Sequence, residues 1–238
     1  IDRSLARTLA TRFKLGMFDP PEMVPYSNIP MSVVGCEKHR KLAYEAALRS
    51  MVLLKNRNNI LPLKESVRDL YIVGPNATNL DCLLGSYFGI GESMVTALEG
   101  IARQAPEGTK VEYKHGCLLA QDNANPFDWS LEAAPEADVT IACMGLQPLL
   151  EGEEGDALLS TKGGDRETIE IPSQQAEYIK KLVIRGARVV LVLFGGSPVA
   201  LGEIEDMVEA IIHIWYPGCE GGIALADVLF GKVSPSGK

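Results

Sequence analysis

The chain has 238 residues, with 23 Lys and Arg against 31 Asp and Glu, a formal net charge of −8 and an isoelectric point near 5.0. So acidic a chain lacks the basic face with which nucleic-acid binders displace counterions, and nucleic acid is not an expected partner. At 46% hydrophobic and 23% charged it is composed like a globular protein, and no apolar run approaches the roughly 18 residues of a membrane span.

Its five cysteines, Cys36, Cys82, Cys117, Cys143 and Cys219, contain no Cys-x-x-Cys pair. Neither a zinc ribbon nor a disulfide framework is expected, and the thiols read as buried or idle. Residues 1–15 carry Leu5, Leu9 and Phe13 at four-residue spacing, one face of a helix that Gly16 would end. Residues 17–30 contain four prolines and predict an extended surface linker. A long helix is then expected over 38–56, with Leu42, Ala46 and Leu53 beside Ala43, Ala47, Met51 and Leu54 as its buried stripe. Both ends of the chain read as interior positions of a longer protein.

Short β-branched runs follow at 70–73, 111–113, 139–144, 189–194 and 211–215, separated by helical patterns near 93–104, 173–185 and 221–230. Strands that are continuously apolar rather than alternating are covered on both faces. The expected fold is a doubly wound, mostly parallel α/β sheet with helices on both faces, a three-layer α/β/α sandwich. Ligands of such sheets sit at the carboxyl ends of the strands, which directs attention to the loops after Val73, Met144, Phe194 and Trp215.

The loop after Met144 is the longest and the most charged. In Leu150-Glu151-Gly152-Glu153-Glu154-Gly155-Asp156, four carboxylates fall within six residues. Crowded carboxylates repel, which raises at least one pKa and favours a general acid. A solvated acidic loop would look the same in composition. A calcium loop would alternate its Asp and Asn ligands and close on Glu, which this segment does not. Neither a metal nor a cofactor is expected.

Asp165 beside Arg166 could brace the base of that loop, or could equally be a solvated surface pair. Gly195-Gly196-Ser197 resembles a phosphate cradle without the glycine pattern of a dinucleotide site or a P-loop, and Ser197 lacks a nucleophile elbow. His213 reads as a core histidine. Trp215-Tyr216 reads as packing, with sugar stacking as the alternative.

Three groups of residues resemble glycoside hydrolase family 3. They are Arg12-Phe13-Lys14-Leu15-Gly16-Met17-Phe18-Asp19; Gly164-Asp165-Arg166 with Ile171-Pro172 and Gln175; and Tyr216-Pro217-Gly218 with Gly221-Gly222. Leu84-Gly85-Ser86-Tyr87-Phe88-Gly89 is similar too, with Ser86 where many members carry Asn.

The resemblance implies a retaining β-glycosidase, of the β-glucosidase or β-xylosidase type, acting on β-linked oligosaccharides or glycosides. In such enzymes an N-terminal barrel supplies an Asp nucleophile and a C-terminal α/β sandwich supplies the acid/base Glu. On that reading residues 1–16 end the last barrel helix, 17–37 link the domains, and 38–238 form the sandwich. The acid/base falls within 151–154. Glu153 matches best, while Glu151 and Glu154 remain open. A non-catalytic sugar-binding or dimerisation domain is the alternative, a homodimer stays open, and the parent protein is expected to be periplasmic or secreted, with the cytoplasm as the alternative.

Overall fold

The computed structural model describes residues 1–86, 89–123, 128–152, 157–160 and 162–238. They form two compact units, Ile1–His39 and Arg40–Lys238.

In the first unit, helix α1 (Asp2–Lys14) opens on Asp2 and closes on Arg12 and Lys14, the charge order that complements a helix dipole. Gly16, at φ 70°, ends it in a Schellman motif: Gly16 N–H donates to Phe13 O at 3.0 Å and Met17 N–H to Arg12 O at 3.1 Å. No α1 residue is buried, and Leu5 and Phe13 stand exposed. The expected extended linker is instead a series of short 3₁₀ turns at Pro21–Met23, Pro25–Asn28 and Met31–Val33. A proline's fixed φ suits the first position of a turn as well as it suits extended chain.

Helix α2 (Glu37–Ser50) leads into the second unit. The helix expected over 38–56 stops at Ser50, and Val52–Asn56 forms strand β1, antiparallel to β6 (Ala210–Trp215) with Val52 opposite His213 and Asn56 opposite Ala210. The local pattern is overridden because tertiary bonds claim the carbonyls at the helix end. Ser50 O accepts from the Trp215 indole N–H at 2.8 Å, and Met51 O accepts from Gly237 N–H at 2.9 Å. Asn56 then closes a turn, exchanging bonds of 2.8 and 3.0 Å with the Leu61 backbone.

The remaining strands are β2 (Asp69–Val73), β3 (Lys110–Lys114), β4 (Val139–Gly145) and β5 (Val189–Phe194). The sheet order is β1-β6-β5-β4-β2-β3, parallel from β6 through β3. The chain steps from β2 to one side for β3 and to the other for β4, β5 and β6, so the strand order reverses between β2 and β4.

Every residue of β4 and β5 is buried. One sheet face carries Ile72, Ile141, Cys143, Val192 and Ile212 against α2, α4 (Ala97–Gln104) and α9 (Gly221–Leu229). The opposite face carries Tyr71, Ala142, Met144 and Leu191 against α5 (Trp129–Ala133), α7 (Ser173–Ile184) and α8 (Ile204–Met207). The three-layer α/β/α sandwich is therefore the observed fold.

Helix α4 begins later than its apolar pattern suggests, because Thr96 and Glu99 form a capping box: Glu99 N–H donates to Thr96 Oγ1 at 3.3 Å and Thr96 N–H to Glu99 Oε2 at 3.0 Å. Two short helices complete the unit, α3 (Asp81–Leu84) and α6 (Pro148–Glu151).

Candidate active site

Strand β4 ends on Gly145, whose φ of 114° lets it lie against β5, where a Cβ would sit 2.1 Å from Phe194 O. The fully buried side chain of Gln175, from α7, holds this strand end. It accepts from Gly145 N–H at 2.7 Å and donates to Gly145 O at 2.9 Å and Leu119 O at 2.8 Å. Gln147 next donates to Asn76 Oδ1 at 2.6 Å, and Asn76 donates to Leu146 O at 3.3 Å. The carboxyl ends of β2 and β4 are thus joined by buried amides, satisfied as buried polar groups must be.

Helix α6 delivers Glu151 to the loops after β5 and β6. One carboxylate oxygen accepts from Gly196 N–H at 2.8 Å and from the Tyr216 hydroxyl; the other accepts from the Ser197 hydroxyl. Ser197 in turn accepts from Arg166 Nη2 at 2.7 Å, and the same nitrogen donates to Pro198 O at 2.8 Å. Burial first, and then the bond to Glu151, hold the Tyr216 hydroxyl well above its ordinary value of 10.0, so it stays a donor.

The phosphate-like cradle at 195–197 therefore holds an anion that the chain itself supplies. Oriented N–H and O–H donors suit a carboxylate as they suit a phosphate.

Trp215 aims Tyr216 at this cradle. The pairing of β5 with β6 shifts register between Leu193 and Phe194, and Trp215 adopts φ 59°, strained for an aromatic residue. Its indole is anchored on Ser50 O, and its ring lies 4.3 Å from that of His213. His213 is buried and donates through Nε2 to Gly195 O at 3.1 Å; burial lowers its pKa below the ordinary 6.5. The core-histidine reading holds. The packing expected of Trp215 and Tyr216 is joined by hydrogen bonds, from the Trp215 indole to Ser50 and from the Tyr216 hydroxyl to Glu151.

Of the acidic run, Glu151 is placed as described, while Glu153 and Glu154 lie outside the described residues. Arg166 reaches Ser197 and Pro198, which braces the base of the loop across to the β5 loop. The sequence reading missed the link among Glu151, Ser197 and Tyr216, although each lies in a strand-end loop it had singled out.

A groove of about 340 Å³ adjoins Arg166, lined also by Leu146, Leu150 and Leu159. Among the described residues no group of three or more His, Cys, Asp or Glu is placed to hold a metal, and no helix is long and apolar enough to cross a membrane. All five cysteines are free thiols; burial pushes Cys117 and Cys143 up to about 12.

Residues 51–238 match the sequence profile of the glycosyl hydrolase family 3 C-terminal domain. The chain belongs to this family. Among its relatives, a β-xylosidase of Formosa agariphila is 32% identical over all of this chain and 32% of its own length. A periplasmic β-glucosidase of Salmonella typhimurium is 33% identical over all of this chain and 33% of its own. The chain spans about a third of the length of these curated relatives.

The crystal structure of a Listeria innocua β-glucosidase superposes with a TM-score of 0.78 at 27% identity, covering 96% of this chain and 30% of that one. A family 3 exo-β-xylosidase, solved with a xylobiose aziridine probe, gives 0.75 at 33% identity, with 88% and 26% covered. The family expected from Gly164-Asp165-Arg166 and Tyr216-Pro217-Gly218 is the one found.

Proposed function

We propose that this chain is the acid/base-bearing domain of a retaining exo-β-glycosidase, and that Glu153 is its proton donor. Residues 1–16 would end the last helix of an N-terminal barrel, 17–37 would link it to the sandwich, and 38–238 would be that sandwich. The barrel would contribute the Asp nucleophile. The substrate would be a β-linked glucoside or xyloside, in line with the names of the relatives, and the protein would work in the periplasm or outside the cell.

The observation that carries the assignment is the engagement of both Glu151 oxygens. They accept from Gly196, Ser197 and Tyr216, three donors to about four lone-pair sites, whereas a general acid needs an oxygen turned to the leaving group. Two residues further on, past Gly152, Glu153 is the next carboxylate of the run.

Retention needs two carboxyl groups about 5–5.5 Å apart on either side of the glycosidic bond. The barrel Asp would attack the anomeric carbon while Glu153 protonates the departing oxygen. Glu153, now ionised, would then take a proton from the water that opens the glycosyl-enzyme ester. In the full-length protein, Glu153→Gln should lower kcat/KM by about 10²–10⁴-fold on alkyl glycosides and far less on activated aryl glycosides, which leave without protonation. If Glu151→Gln gives that pattern and Glu153→Gln does not, the roles are reversed.

A further inference from the structure

Ser197 lies 31 residues from Arg166 and 46 from Glu151, yet one hydroxyl bonds both. Those two residues are the stems of the excursion after β4: Glu151 ends α6, where the excursion begins, and Arg166 stands where it returns. A serine hydroxyl offers one proton and two lone pairs. Here the proton goes to the Glu151 carboxylate and a lone pair receives the Arg166 guanidinium, so the chain of bonds runs Arg166 to Ser197 to Glu151. The Tyr216 hydroxyl and Gly196 N–H bring two more donors to the same carboxylate. A further tie across the excursion joins Leu159 N–H to Leu149 O at 3.0 Å.

We infer that Ser197 is a positioning residue, which clasps both stems of the excursion to the loop after β5 and thereby sets where the acid/base carboxylate is carried. The inference rests on the proposed role of the excursion. It adds that the two ends of the excursion are held from outside it, by a side chain of the loop after β5. Polarity alone is insufficient at this position, because the group must donate and accept at once. Alanine does neither, while threonine retains the same hydroxyl.

The test uses the full-length protein and three variants: Ser197→Ala, Ser197→Thr and Glu153→Gln. Misplacing a proton donor by about 1 Å can cost up to about 10²-fold. Ser197→Ala should therefore lower kcat/KM on alkyl glycosides by about 10- to 100-fold and on dinitrophenyl glycosides by about 2-fold or less, with Ser197→Thr restoring most of the loss.

Hydrogen exchange gives a readout independent of activity. In Ser197→Ala the amides of Gly152 and Leu159 should exchange faster, while those of β4 and β5 stay protected. Equal losses on both substrate classes, no rescue by threonine, or unchanged exchange at Gly152 and Leu159 would each overturn the inference. If Glu153→Gln shows the leaving-group effect and Ser197→Ala does not, only the clasp fails. If Glu153→Gln lacks the effect, the proposed function itself fails.

Discussion

Glu151, His213 and Gln175 are ordinary residue types whose meaning comes from their partners. His213 is buried with its pKa lowered, so between that value and about 6.5 the unfolded chain binds a proton that the folded chain does not. Its contribution to stability is complete above about 6.5 and is lost as the pH falls through the lower folded value. Urea midpoints at pH 7.5 and pH 5.0 should therefore drop more in the wild type than in His213→Gln. Equal drops would contradict a neutral, buried imidazole. Gln175 satisfies three backbone groups, both of Gly145 and the carbonyl of Leu119. Gln175→Leu would leave them unpaired at the end of β4, at about 1–3 kcal/mol for each group that water cannot reach. A loss of under about 1 kcal/mol in urea denaturation would show that solvent replaces the amide. The sequence singled out Gln175 only as a family match, because a glutamine's bonds do not show in a pattern of apolar spacing.

At the scale of elements, legibility followed the source of the stabilisation. Val189–Phe194 is six apolar residues in a row, three of them valine, which in so short a run suits a strand covered on both faces, and it is β5 as expected. Val52–Asn56 was read as helix because its leucines continue the spacing of α2, whereas its pairing partner lies more than 150 residues away in β6. Register with a distant strand leaves no local mark; the turn that follows, with Asn58 and Asn59 at φ 54° and 52°, shows only in the structure. Helices α4 and α9 meet through glycines. A Cβ on Gly100 would lie 1.9 Å from Gly222 O, against backbone that cannot rotate aside. Gly100→Ala should therefore destabilise by about 1–3 kcal/mol through overpacking, despite the better helix propensity of alanine. A thermal midpoint equal to or above the wild type would mean that the two helices separate without cost.

At the scale of the whole molecule, the strand pattern made the sandwich legible and motifs such as Gly164-Asp165-Arg166 and Tyr216-Pro217-Gly218 made the family legible, but neither showed the joining of four distant positions. Glu151, Arg166, Ser197 and Tyr216 come from three strand-end loops, and only the parallel order β6-β5-β4 brings those loops side by side. The division of labour with a barrel predicts that Ile1–Lys238 alone, folded as judged by circular dichroism, hydrolyses neither aryl β-glucosides nor aryl β-xylosides. Robust turnover would place both carboxylates within this chain.

The most direct measurement is made on Glu153→Ala in the full-length protein, with a dinitrophenyl glycoside and added azide. An activated leaving group lets the glycosyl-enzyme form without an acid, and azide can open it without a base, whereas water cannot. The account predicts that azide accelerates turnover of Glu153→Ala and yields the β-glycosyl azide, with no such effect on the wild type. Absence of that product, or its formation by Glu151→Ala alone, would contradict it.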